Sequence, residues 1–265
     1  MKIMLKTRVL SAVVGIPLLL GLLYLGGAYW QGFFILLAIL SLGEYYKMMR
    51  NRQFKPLQIP GLLMLLVIMH LPLYPDYLIP AVFLTLVVSV VYMVLKYPRF
   101  DYIDLALSIF GPCYLGFLFN YSLIIGKMSN SFYIILLAFL LTWCSDIGGY
   151  FAGRFWGSHK LAPQLSPAKT WEGALGASVL PVILAMVFFR VIHIESIPLA
   201  YVLILGLLTG FTAQFGDLFE SGIKRYFNVK DSGNIIPGHG GVMDRFDSFL
   251  FVAPVVYYFF VFFVH

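Results

Sequence analysis

The chain has 265 residues, of which 61% are hydrophobic and 11% charged, against about 25% charged in an ordinary soluble domain. With a mean hydropathy of +0.90, its surface in water would carry aggregating apolar patches, so a water-soluble globule is excluded, and a 17% aromatic content excludes a disordered chain. The 18 Lys and Arg against 12 Asp and Glu leave a net charge of +6, which in a lipid-embedded chain reads as loop asymmetry, so no nucleic-acid partner is expected.

A helix crosses the hydrocarbon in about 20 apolar residues, because every peptide group there must be hydrogen-bonded within its own segment. Nine stretches qualify: residues 9–27, 28–46, 57–74, 77–97, 103–126, 132–153, 171–192, 198–225 and 242–264. The expected fold class is therefore all-α, a polytopic integral membrane protein with about nine transmembrane helices in one membrane domain. The first stretch follows Lys2, Lys6 and Arg8 as a signal peptide would, but its length and the spans that follow mark it as a retained anchor. With the N-terminus inside, every Lys and Arg except Lys127 and Arg190 falls on the inner side. That pattern predicts a multi-pass protein of the inner cell membrane, its N-terminus and working loops cytoplasmic and His265 outside. Cys113 and Cys144 lie in apolar runs and read as small buried hydrophobes, and the lone His70 and His193 as interfacial residues near outer helix ends.

The two halves differ in kind. Residues 1–126 are almost free of charge within their spans and read as scaffold, whereas residues 127–265 hold Asp146, Glu172, Glu195, Asp217, Glu220, Asp231, Asp244 and Asp247. All of these but Glu195 map to the inner side, and an ionisable group in a membrane helix is by default functional. Asp146, beside Gly148 and Gly149, is expected to face a polar cavity. After the sixth span, Ser166, Lys169, Thr170 and Glu172 cluster at a helix start, where they could meet a nucleotide or a lipid headgroup or simply cap the helix.

In the eighth span Asp217, Glu220, Ser221 and Lys224 share a helix face, and in the ninth Asp244, Asp247 and Ser248 do the same. Asp217 and Asp244 can meet if the loop between these spans folds back, and two nearby carboxylates favour a hard cation such as Mg2+ between them. The alternative is that each acid pairs with a neighbouring Lys or Arg. The segment from Lys230 to Gly241 is polar and glycine-rich and ends at a helix start, a setting that suits phosphate. Lys224, Arg225, Lys230 and Arg245 supply formal positive charge, and His239 between glycines is not explained by a flexible loop alone. Neither a P-loop nor a dinucleotide-binding fingerprint is present.

From residue 221 to 247 the sequence carries Ser221, Lys224-Arg225, Lys230-Asp231, a small residue, Pro237, His239-Gly240-Gly241, Asp244-Arg245 and Asp247 in fixed spacing. This resembles the signature of the phosphatidate cytidylyltransferases, or CDP-diacylglycerol synthases, without a gap; the segment from Ser166 to Glu172 and Asp217 also look like family features. The resemblance implies transfer of CMP from CTP to phosphatidic acid, with pyrophosphate released and Mg2+ required, a second cation being left open. On this footing Asp217 and Asp244 become first metal ligands, with Asp247 and Asp146 in support. Lys224, Arg225, Lys230 and Arg245 would hold phosphates, Asp231 would orient Lys230, and His239 would donate a hydrogen bond to phosphate. Ser166, Lys169, Thr170, Glu172, Ser221, Gly240 and Gly241 would contact substrate. The implied partners are CTP, phosphatidic acid and membrane lipids, with a homodimer left open. Two rivals are an ion-coupled membrane transporter and a CTP-using enzyme acting on another membrane lipid.

Overall fold

A computed structural model describes residues 2–192 and 197–264, with the side chains of residues 2–10 and 12 outside the description. The sequence expectations for His193, Glu195, His265 and the side chains of Lys2, Lys6 and Arg8 thus lie outside the described residues. In chain order the elements are α1 (Lys2–Leu25), α2 (Gly27–Asn51), α3 (Gln58–His70), a 3-10 turn (Leu71–Leu73), α4 (Pro75–Leu95), α5 (Tyr102–Ile125), α6 (Ser131–Phe155), β1 (Lys160–Ala162), β2 (Ser166–Thr170), α7 (Trp171–Val191), α8 (Leu199–Tyr226) and α9 (Met243–Phe263).

The chain is an all-α multi-pass membrane protein. Among the described residues seven helices, α2 and α4 to α9, are long and apolar enough to cross a membrane. Val13–Leu25 and Gln58–Leu73 are shorter apolar stretches. The third is cut short because Pro72 and Pro75 lack the N–H that would continue the helix beyond His70. The break between α1 and α2 falls at Gly26 and Gly27, whose φ angles of 58° and 50° are left-handed.

Two compact units are formed: Met1–Ser129 with Tyr226–Arg245, and Asn130–Arg225 with Phe246–His265. In the first unit α2 and α3 pack on α5. Pro112 in α5 cannot donate to the carbonyl of Ser108, and Tyr46 Oη of α2 fills that vacancy with a hydrogen bond of 2.8 Å. Trp30 Nε1 likewise donates to the Ser122 carbonyl at 2.9 Å. The start of α5 is fixed by a reciprocal capping box between Asp101 and Asp104, and Asp104 Oδ1 also accepts from Lys55 N at 2.7 Å.

In the second unit α6 and α7 approach so closely that a Cβ on Gly148 would collide with the Gly176 carbonyl. Such close backbone approach between small residues is how helices associate in lipid, where burying apolar surface gives no advantage. Between these helices the chain makes an antiparallel hairpin, β1 with β2, pairing Lys160 with Thr170 and Ala162 with Ser166. Thr170 ends the hairpin and begins α7, its Oγ1 accepting from Gly173 N at 3.1 Å.

Candidate active site

The hairpin and the helices around it enclose a cavity of about 610 Å³ in the second unit. Asp146, Tyr150 and Arg154 of α6, Lys169 and Thr170 of the hairpin, and Gln214 and Asp217 of α8 supply its polar wall. Lys169 Nζ sits 2.7 Å from Asp217 Oδ2 and donates to the Gln214 carbonyl at 3.3 Å. Gln214 Nε2 in turn donates to the carbonyls of Ala174 and Gly210 at 3.1 and 3.0 Å, bracing α7 against α8. The small residues Gly149, Gly153, Gly173 and Ala177 leave the space that bulkier side chains would fill.

One turn further along α8, Ser221 Oγ donates to Asp217 Oδ1 at 3.3 Å, and Lys224 forms an ion pair with the fully buried Glu220. Glu220 with Lys224 and Asp217 with Lys169 thus adopt the pairing that the sequence left as the alternative for the acids. Asp247 of α9 stands within the electrostatic reach of Asp217, Asp146 and Lys224. Gly216 makes this approach possible, since a Cβ there would lie 2.7 Å from the Asp247 backbone carbonyl. Among the described residues no group of three or more His, Cys, Asp or Glu converges to hold a metal ion by itself. Mg2+, however, is commonly held by one or two carboxylates together with substrate phosphates and water, so the hard oxygen donors on Asp217 and Asp247 fit such an ion.

Near the start of α7, Glu172 Oε1 lies 2.7 Å from both Ser158 Oγ and His159 Nδ1, and the Trp171 N–H donates to the His159 carbonyl at 2.9 Å. Glu172 therefore secures the hairpin's beginning. Ser166 lies on β2, and the Arg225 Nε–H reaches the Leu165 carbonyl at 3.4 Å.

The glycine-rich segment belongs to the first unit. Ile236 N donates to the Gly240 carbonyl at 3.0 Å and His239 N to the Ile236 carbonyl at 2.9 Å, a tight turn with Gly238 and Gly240 at φ of 75° and 85°. His239 Nδ1 is buried and has no hydrogen-bond partner among the described residues. Lys230, Asp231 and Arg245 are exposed, whereas Gly241 and Asp244 are buried. Asp244 Oδ2 accepts from Ser232 N, Ser232 Oγ and Gly241 N at 2.9, 2.9 and 2.8 Å.

Of the residues expected from sequence, Asp146, Lys169, Thr170 and Asp217 share the cavity of the second unit. Asp244, Arg245, Lys230, Asp231, His239, Gly240 and Gly241 belong to the first. Sequence reasoning missed Tyr150, Arg154 and Gln214 in the cavity and Glu44 of α2, which is 3% exposed and bonded to the glycine-rich segment. The signal for Glu44 was available: a carboxylate inside an otherwise uncharged membrane span.

A model of the cytidylyltransferase family matches residues 6–263. Similar chains include phosphatidate cytidylyltransferases of Staphylococcus haemolyticus (strain JCSC1435) and Staphylococcus aureus (strain COL). The first is 35% identical over 258 residues, 95% of this chain and 97% of that protein. The second is 38% identical over 263 residues, with the same coverage of both.

Proposed function

The chain belongs to the cytidylyltransferase family, and from that premise we propose how its own residues carry the transfer of CMP from CTP to phosphatidic acid, which gives CDP-diacylglycerol and pyrophosphate. The observation that carries the activity is likeness along nearly the whole chain to enzymes of that name, rather than over one motif.

A phosphate monoester has a second pKa of about 6, so the lipid phosphate is mostly a dianion at neutral pH and needs no base to become a nucleophile. One of its oxygens bonds to the α-phosphorus of CTP as the bond from that phosphorus to the bridging oxygen breaks, and pyrophosphate leaves with the electron pair. The obstacle is repulsion between a dianion and a triphosphate, so neutralisation and in-line placement dominate the barrier. Lys169, at the cavity wall, meets the lipid phosphate, and the signature assigns phosphate-holding roles to Lys224 and Arg225 of the second unit and to Lys230 and Arg245 of the first. Ser166, Thr170, Glu172, Ser221, Asp231, Gly240 and Gly241 shape the substrate sites, and His239 donates a hydrogen bond to a phosphate oxygen.

Asp217, Asp247 and Asp146 of the second unit are the residues that would hold Mg2+, and the ligand role of Asp244 rests on the signature. When bound, the ion supplies positive charge to phosphate oxygens during the displacement. The basic-residue pattern supports an inner-membrane protein of nine spans, with α1 and α3 counted, a cytoplasmic N-terminus and active site, and an external C-terminus. Neither a nucleic acid nor a second copy of the chain is required by the reaction as written.

The test is an acceptor panel. Purified protein with CTP and Mg2+ is offered phosphatidic acid, diacylglycerol or a polyprenyl phosphate, and pyrophosphate is measured. Release with phosphatidic acid alone is expected. Release with another lipid and none with phosphatidic acid would overturn the assignment.

A further inference from the structure

Glu44 is the one acidic residue of α2 and is 3% exposed. Its Oε1 accepts from Val242 N and its Oε2 from Met243 N, both at 2.9 Å, and Ser232 Oγ lies 3.0 Å from Oε2. Val242 and Met243 stand at the start of α9, where the amide groups lack partners in their own helix. A Ser, Thr, Asp or Asn immediately before the helix would ordinarily cap such amides. Here Gly241 and Val242 hold that place, and the cap arrives from a carboxylate 198 residues away in sequence.

The surrounding sequence is cut to fit this carboxylate. A Cβ on Gly233 would lie 2.5 Å from Glu44 Oε1, and a Cβ on Gly241 would meet Ser232 Oγ and stand 2.5 Å from both Glu44 oxygens. Ser232 also links Glu44 to the other acid of the cluster, its hydroxyl lying 2.9 Å from Asp244 Oδ2. Two buried carboxylates therefore collect the backbone amides of Ser232, Gly241, Val242 and Met243. These amides bracket the turn that carries His239.

We infer that Glu44 is a positioning residue for nucleotide binding: it clasps the glycine-rich segment and, through Ser232, the carboxylate of Asp244 in the geometry that receives the triphosphate, without touching substrate itself. This rests on the reaction described above. An uncompensated carboxylate in an apolar span is costly, and here its compensation is a set of amides that only the folded segment presents. Glutamine at position 44 keeps the size but replaces one acceptor with a donor, which then faces amide N–H groups that also donate.

The test compares wild type, Glu44→Gln and Ser232→Ala, each purified in detergent, by deuterium uptake of residues 230–245 and by KM for CTP and for phosphatidic acid. In Glu44→Gln, uptake across this segment rises while that of α6 and α7 is unchanged. The KM for CTP increases about tenfold, equivalent to one lost hydrogen bond to a charged group, and the KM for phosphatidic acid holds. Ser232→Ala keeps both caps from Glu44 and shows the same shifts at smaller size; it decides the matter alone if Glu44→Gln does not fold. Unchanged uptake, or a loosened segment with an unchanged KM for CTP, would overturn the assignment. Wild type inactive with CTP and phosphatidic acid would instead overturn the reaction, while deuterium uptake still decides whether Glu44 holds the segment.

Discussion

Lys169 Nζ lies 2.7 Å from Asp217 Oδ2 at the cavity wall, joining the hairpin to α8 through side chains 21% and 35% exposed. An ion pair this open to solvent contributes at most about 1 kcal/mol to stability. In the proposed reaction its value is chemical: the pair would hold a cation and a carboxylate side by side where a phosphate could take the first.

Lys169→Met tests that separation of roles. The thermal midpoint should stay within a few degrees of wild type, as expected for loss of about 1 kcal/mol or less. The kcat/KM with phosphatidic acid should fall by about a hundredfold, the scale seen when one charge-stabilising donor is removed. Steady-state kinetics beside a melting curve decide it, and a large loss of stability with normal kinetics would assign Lys169 a structural role.

Asp217→Asn keeps the shape of the side chain and removes its charge. Membrane insertion and yield should match wild type, while turnover falls by about a hundredfold or more and added Mg2+ does not restore it. Normal turnover with an unchanged Mg2+ dependence would remove Asp217 from the proposed ligands.

Gly148→Leu forces a side chain against the Gly176 carbonyl, a backbone atom that cannot swing aside. Overpacking of this kind costs about 1–3 kcal/mol, so the melting temperature in detergent should drop. Gly43→Ala is the control, because nothing lies within 4 Å of a Cβ placed there; its melting temperature should equal or exceed that of wild type.

Cysteine introduced at Ser129 or Asn234, both exposed, reports topology in sealed membranes. An impermeant thiol reagent should reach residue 129 from outside and residue 234 from the cytoplasmic face. Labelling of both from one side would overturn the orientation deduced from the basic residues.

Seven of the nine expected spans were legible because lipid admits so few backbone arrangements that hydropathy alone marks them. Where prolines intervene, as after His70, an apolar stretch still looks continuous although the helix stops. The hairpin was not legible: Ser166 to Thr170 is short, polar and proline-containing, so its pairing with Lys160 to Ala162 leaves no periodic trace. The motif from Ser221 to Asp247 could be read because its residues are close in sequence and rigidly spaced, although spacing alone did not show that they divide between the two units. Glu44 was passed over for the opposite reason, its partners lying at Ser232, Val242 and Met243, far along the chain.

The central claim is that a lipid phosphate displaces pyrophosphate from CTP. Purified protein, Mg2+ and phosphatidic acid should be supplied with CTP labelled at either the α- or the γ-phosphorus, and the lipid then extracted. The account predicts that α-label enters the lipid one-for-one with pyrophosphate released and that γ-label stays in the aqueous phase. Entry of γ-label into the lipid, or no transfer from either position, would contradict it.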